Sequence, residues 1–203
     1  ELEIPIATHT IGDLAFEWVL DAIEKYPLET MGHDRLIHTQ LLRKDLVKRA
    51  KQLPVIFDIQ PRFLASDFPW VLERIGDGPI DYLYAWKSLL KEGIPLAGGS
   101  DAPIEPADPL LGLHAAVTRS RPDDPEKIVY GEEEKLSMFE AVSLFTTGSA
   151  HAGLHADKRG KICEGFDADF TVFDKDLFNI DPDELLSTKV VMTVIDGKIV
   201  YQK

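Results

Sequence analysis

Short apolar runs alternate with amphipathic stretches over the first hundred residues. Ile4-Pro5-Ile6-Ala7 is the first run, closed by Thr8 and His9. A helix is predicted next, with Asp13 as N-cap and Ala15, Trp18, Val19, Ala22 and Ile23 on one face, stopped by Pro27. Arg35-Leu36-Ile37-His38 is the second run, followed by a helix from about Leu42 to Gln52. Val55-Ile56-Phe57-Asp58-Ile59 is the third, ended by Pro61. A helix over Tyr82–Lys91 leads to the fourth, Ile94-Pro95-Leu96-Ala97. Apolar runs that alternate with helices predict parallel strands joined by crossover helices, an α/β fold.

The pattern changes after Asp101. Residues 102–136 are rich in Pro, Asp and Glu, with one helix expected over Leu110–Arg119 and a solvated acidic face at Glu132-Glu133-Glu134. Ser137 and Glu140 have capping-box spacing and open an apolar helix, which Gly148 is expected to interrupt before a short turn through His151. The last 45 residues read as strands. Phe170–Phe173 and Val190–Ile195 are β-rich, and Asp196-Gly197 before Lys198-Ile199-Val200-Tyr201 is a two-residue hairpin signal.

Charge narrows the function. Of 203 residues, 35 are acidic and 22 basic, a net charge of −13. That balance excludes a generic nucleic-acid binder and argues against an anionic membrane surface. No apolar run reaches membrane-spanning length. The lone Cys163 makes no intrachain disulfide, and no leader pattern is visible, so a cytoplasmic setting is expected. The chain opens on Glu1 and is in an apolar run by Ile4, as if in mid-fold, which predicts a piece of a longer protein.

His9, His38 and Asp101 each follow an apolar run, where a parallel strand would end. That edge carries the active site in α/β barrels and the ligand crevice in open sheets. Two imidazoles and a carboxylate there suit a divalent metal such as zinc. The bland alternatives are hydrogen-bonded structural histidines and an aspartate that shapes a turn. Gln60 and Arg62, on the same rim, are candidates to meet substrate, with a carboxylate as the alternative partner of Arg62. His33 is expected at the surface, His114 in packing, His155 exposed, and His151 without a role. Cys163 is expected as a buried structural thiol.

Several segments resemble the amidohydrolase superfamily, in the YtcJ-like branch that includes N-substituted formamide deformylases. His9-Thr10-Ile11-Gly12-Asp13-Leu14-Ala15 looks like the motif of its fifth barrel strand and Leu36-Ile37-His38-Thr39-Gln40 like that of its sixth. Gln60-Pro61 looks like the seventh and Gly99-Ser100-Asp101-Ala102-Pro103 like the eighth. Thr146–Leu154 resembles the helix after the barrel. Gly160–Asp174 and Val194–Tyr201 resemble strands of a small β-sandwich.

The resemblance implies residues 1–155 as the C-terminal half of a TIM-type (β/α)8 barrel and 156–203 as part of the β-sandwich. The N-terminal halves and a first-strand His-x-His pair would then lie upstream of Glu1. It implies His9 and His38 as metal ligands, and Asp101 beside the metal as the proton-transfer residue. The implied substrate is a small molecule with an amide or other non-peptide C–N bond. Thr10 and Ile37 depart from the family's usual Ala and Glu. A non-catalytic regulatory protein of the same fold is the alternative. Half a barrel leaves strand edges bare, so this chain is expected to be inactive alone and to form homo-oligomers.

Overall fold

A computed structural model describes residues 4–28, 32–75 and 81–203; Glu1 lies outside them. The chain runs β1 (Ala7–Thr10), α1 (Asp13–Lys25), β2 (Asp34–His38), β3 (Leu41–Leu42), α2 (Lys44–Ala50), β4 (Val55–Ile59), α3 (Arg62–Asp67) and α4 (Val71–Arg74). It continues through β5 (Tyr82–Leu83), α5 (Trp86–Lys91), β6 (Leu96–Gly98), α6 (Pro109–Thr118), α7 (Met138–Ser143) and α8 (Ser149–Ala152). It ends in β7 (Phe170–Phe173), β8 (Val190–Ile195) and β9 (Lys198–Gln202).

Four strands form one parallel sheet in the order β1-β2-β4-β6, as the alternation of runs and helices predicts. One face carries Leu36, Phe57, Ile59 and Leu96 against helix side chains. Phe16 meets Phe57 edge to face at 5.3 Å. The other face carries Arg35, Ile56, Asp58 and Ala97, and Ala152 packs on Ile56 and Ala97. Because side chains alternate along a strand, this second face is where polar groups can be set without breaching the main core.

Several local expectations are corrected. The buried face of α1 is Phe16, Leu20 and Ile23, at i, i+4 and i+7, whereas Trp18 is 66% exposed. Gly12 is the N-cap, in an extended conformation, and Asp13 lies in the first turn, where it pairs with Arg43 at 2.9 Å. Tyr82–Leu83 pairs with β3 instead of starting a helix. Gly148 does not interrupt its helix. The chain passes from α7 through a π-helical turn, Leu144–Gly148, straight into α8. A Cβ on Gly148 would lie 2.3 Å from the Leu96 carbonyl oxygen, so the glycine serves close approach to β6.

The capping box of Ser137 and Glu140 is present. Beyond α8, β7, β8 and β9 form an antiparallel sheet, and Asp196 and Gly197 take the left-handed φ values of a tight hairpin, 52° and 70°. Cys163 is exposed, in a turn ahead of β7, not buried in a strand. Glu134 is also corrected. It is buried and accepts from the Ser88 N–H at 2.9 Å, while Glu132 and Glu133 stay solvated.

Candidate functional site

The C-terminal ends of β1, β2 and β6 bring three of the predicted residues together. His9 lies within β1 and His38 closes β2. His9 Nδ1 and His38 Nε2 are 2.7 Å apart. Asp101 follows β6, and its Oδ2 is 4.0 Å from His38 Nε2. His38 is buried, His9 exposed, and the Asp101 side chain 31% exposed, so the cluster opens toward solvent from a buried base.

Hydrogen-bond accounting fixes the tautomer of His38. The Gln60 Nε2 donates to the Asp58 backbone oxygen at 2.9 Å and lies 3.4 Å from Asp58 Oδ1. Both partners are acceptors, so the amide nitrogen must face them. Gln60 Oε1 therefore faces His38 Nδ1, at 2.7 Å, and accepts its proton. The Nε2 of neutral His38 is then an acceptor facing His9 Nδ1, with Asp101 Oδ2 farther off at 4.0 Å. Asp58 is held in turn by an ion pair with Arg35. The relay Arg35–Asp58–Gln60–His38 crosses from β2 to the end of β4 and back. Phe63 stacks on the His38 ring at 5.7 Å. Burial holds His38 below the ordinary histidine pKa, against the opposing pull of its Gln60 hydrogen bond.

The backbone is strained at the same place. His38, Thr39 and Asp101 all have positive φ, 77°, 47° and 57°. Non-glycine residues in this region cost about 1–3 kcal/mol each and cluster at functional sites. Thr10, one of the family departures, is fully buried, and its hydroxyl donates to the Ile37 carbonyl at 2.9 Å, tying β1 to β2 beside the histidines.

The remaining two candidates differ: Gln60 backs the cluster through His38, and Arg62 lines a separate cavity. Gln60 is 6% exposed, with both ends of its amide engaged by protein. The Arg62 guanidinium lies 3.3 Å from Glu105. Arg62 also lines a cavity of about 280 Å3 with Gly98, Ser100, Asp108, Gly112 and Phe145. His9, His38 and Asp101 are not among its walls. His114 is buried in packing and His155 is exposed, as expected. His33 corrects its expectation: it is only 8% exposed, its ring 4.5 Å from that of His151. Sequence spacing had no signal for Asp58 or Phe63, whose roles depend on cross-strand and stacking neighbours.

The family model described as "Amidohydrolase family" matches residues 1–201. The chain belongs to the amidohydrolase family. It is 51% identical over all 203 residues to the YtcJ protein of Bacillus subtilis (strain 168), named as an amidohydrolase, and spans 38% of that protein. It is 26% identical over 211 residues to the N-substituted formamide deformylase of Arthrobacter pascens, covering 100% of this chain and 38% of that protein. The chain thus spans about two fifths of these curated relatives. Among solved structures, an uncharacterized metal-dependent hydrolase from Pyrococcus horikoshii OT3 superposes with a TM-score of 0.76 at 34% identity, over 88% of this chain and 35% of that one.

The donor set of this family member fits a divalent metal in kind. Two imidazole nitrogens meet at the strand edge, one with its ring orientation fixed from behind, and a carboxylate flanks them. The set is open. Among the described residues no group of three or more His, Cys, Asp or Glu side chains closes around a metal position.

Proposed function

We propose that the longer protein to which this amidohydrolase-family chain belongs hydrolyses an amide or other non-peptide C–N bond of a small molecule. We further propose that residues 1–155 are the second half of an eight-stranded barrel and that 156–203 contribute strands to a β-sandwich. In this reading the chain alone is inactive, because the other half of the barrel supplies further ligands. The lone exposed thiol of Cys163 suits a cytoplasmic setting.

The observation that carries the reading is the convergence of His9 Nδ1, His38 Nε2 and Asp101 Oδ2 at one strand edge. His9 and His38 would hold a divalent metal, zinc by donor type. When bound, such an ion lowers the pKa of water and polarises the scissile carbonyl. Asp101 takes a proton from the attacking water and returns it to the departing nitrogen. Its left-handed backbone carries the carboxylate toward His38. Gln60 positions His38, and Arg62, restrained by Glu105, faces the substrate's approach.

The test uses the longer protein with N-substituted formamides and related amides. Hydrolysis should stop on chelation and return with zinc. Asp101→Asn should fold normally, since asparagine tolerates positive φ, and should lose about 10²–10⁴-fold in rate. Activity that survives both treatments overturns the mechanism. Binding without turnover would point to the regulatory alternative.

A further inference from the structure

A second imidazole pair lies at the other end of β2. His33 precedes the first residue of that strand, and His38 is its last. At about 3.3 Å per residue the two sites stand about 16 Å apart. His33 is more than nine-tenths buried, and among the described residues its Nε2 has no hydrogen-bond partner. The Ala152 backbone also lies beside the imidazole. His151, on α8, holds its ring 4.5 Å from that of His33, tilted by 36°. Both line a cavity of about 330 Å3 with Ala50, Lys51, Ile94 and Pro95.

A buried imidazole nitrogen without a partner is costly unless something is bound. A free nitrogen on a cavity-lining histidine is also what an imidazole offers a metal. The lysine on that cavity is already engaged: Lys51 pairs with Glu92 at 2.7 Å.

We propose that His33 and His151 form a second divalent-metal site, for zinc or an ion of similar donor preference, with water completing the coordination. An ion there would staple α8 to the N-terminal end of β2, joining the segment that leads into the antiparallel sheet to the parallel one. This site is independent of the His9–His38 reading.

Zinc chloride added to the chain with 15N-labelled histidine, followed by NMR of the ring nitrogens, tests it. The His33 and His151 signals should move together, saturating with one ion. His151→Ala, at an exposed position, should weaken that response at least tenfold and leave the His9 and His38 signals as they were. His151→Asn serves if the alanine variant folds poorly. The proposal is overturned if the His33 and His151 rings stay unmoved up to millimolar zinc, or if His33 responds equally in the variant. A His9–His38 pair that fails to bind leaves this readout intact.

Discussion

The orientation of His38 depends on one amide. Gln60 accepts from Nδ1 and is itself held by Asp58, so Nε2 faces the cluster as an acceptor. Gln60→Leu removes the acceptor, leaves the Nδ1–H unpaired in a buried place, and lets the ring turn or change tautomer. Zinc affinity at His9–His38 should fall about 10–100-fold, the usual cost of losing such a support. Gln60→Glu keeps an acceptor and should retain more affinity than leucine, at a cost in stability from the adjacent Asp58 carboxylate. Calorimetric titration of zinc into the two variants checks the order; equal affinities would contradict the relay. His9, His38 and Asp101 were legible in the sequence because each ends an apolar run, and strand ends share one edge. The Gln60–His38 bond was not legible, because it depends on two side chains meeting across neighbouring strands. The same is true of His33 and His151, which only the packing of α8 under the sheet brings together.

Elements were legible where one local rule decided them. Continuous apolar runs marked buried parallel strands, Ser137 and Glu140 marked a helix start, and Asp196-Gly197 marked a hairpin. They were misread where tertiary contact overrode the local signal, as with the exposed Trp18 on α1 and the helix that continues past Gly148. Glycine there is a demand of β6, not of the helix. Gly148→Ala puts a methyl group 2.3 Å from the Leu96 carbonyl oxygen and close to the Ala97 backbone, neither of which can step aside as a side chain would. It should destabilise the chain by about 3 kcal/mol, at the upper end for overpacking. Gly12→Ala is the matched control, with nothing within 4 Å of the new methyl group and an ordinary negative φ. Urea denaturation of both variants reads the contrast, and comparable stabilities would show that β6 and the π-helical turn are not in close contact.

At the scale of the whole chain, β1 and β6 are the outer strands of the parallel sheet. Ile4, Ile6 and Ile11 near β1, with Leu14 and Trp18 on α1, are exposed apolar side chains beside one of those edges. A second copy pairing there would cover them, so the chain should scatter light as a dimer or larger. A monodisperse monomer would contradict that. Acid should weaken each copy through its buried imidazoles. His33 and His114 are held below the ordinary histidine pKa, first by burial in both cases, with Asp183 opposing the shift at His114. The unfolded chain takes up protons at these positions near pH 6.5, while the folded chain resists them. Unfolding is then coupled to proton uptake, and stability falls as pH drops from about 6.5 toward the lower folded-state values. Above that window the imidazoles are neutral in both states and contribute no slope. Glu140, where burial pushes upward but Lys87 and Ser137 prevail, and Asp183, paired with Lys127, are both held below the usual carboxylate range and lose their contribution only below about pH 4.5. Asp67, raised by burial, works in the opposite sense as acid is added. The urea midpoint should therefore decline between pH 7.5 and 5.5. In His114→Asn the decline should be shallower, even if that variant starts from a lower midpoint. A midpoint that stays level or rises over this range would show that the buried imidazoles accept protons in the folded chain.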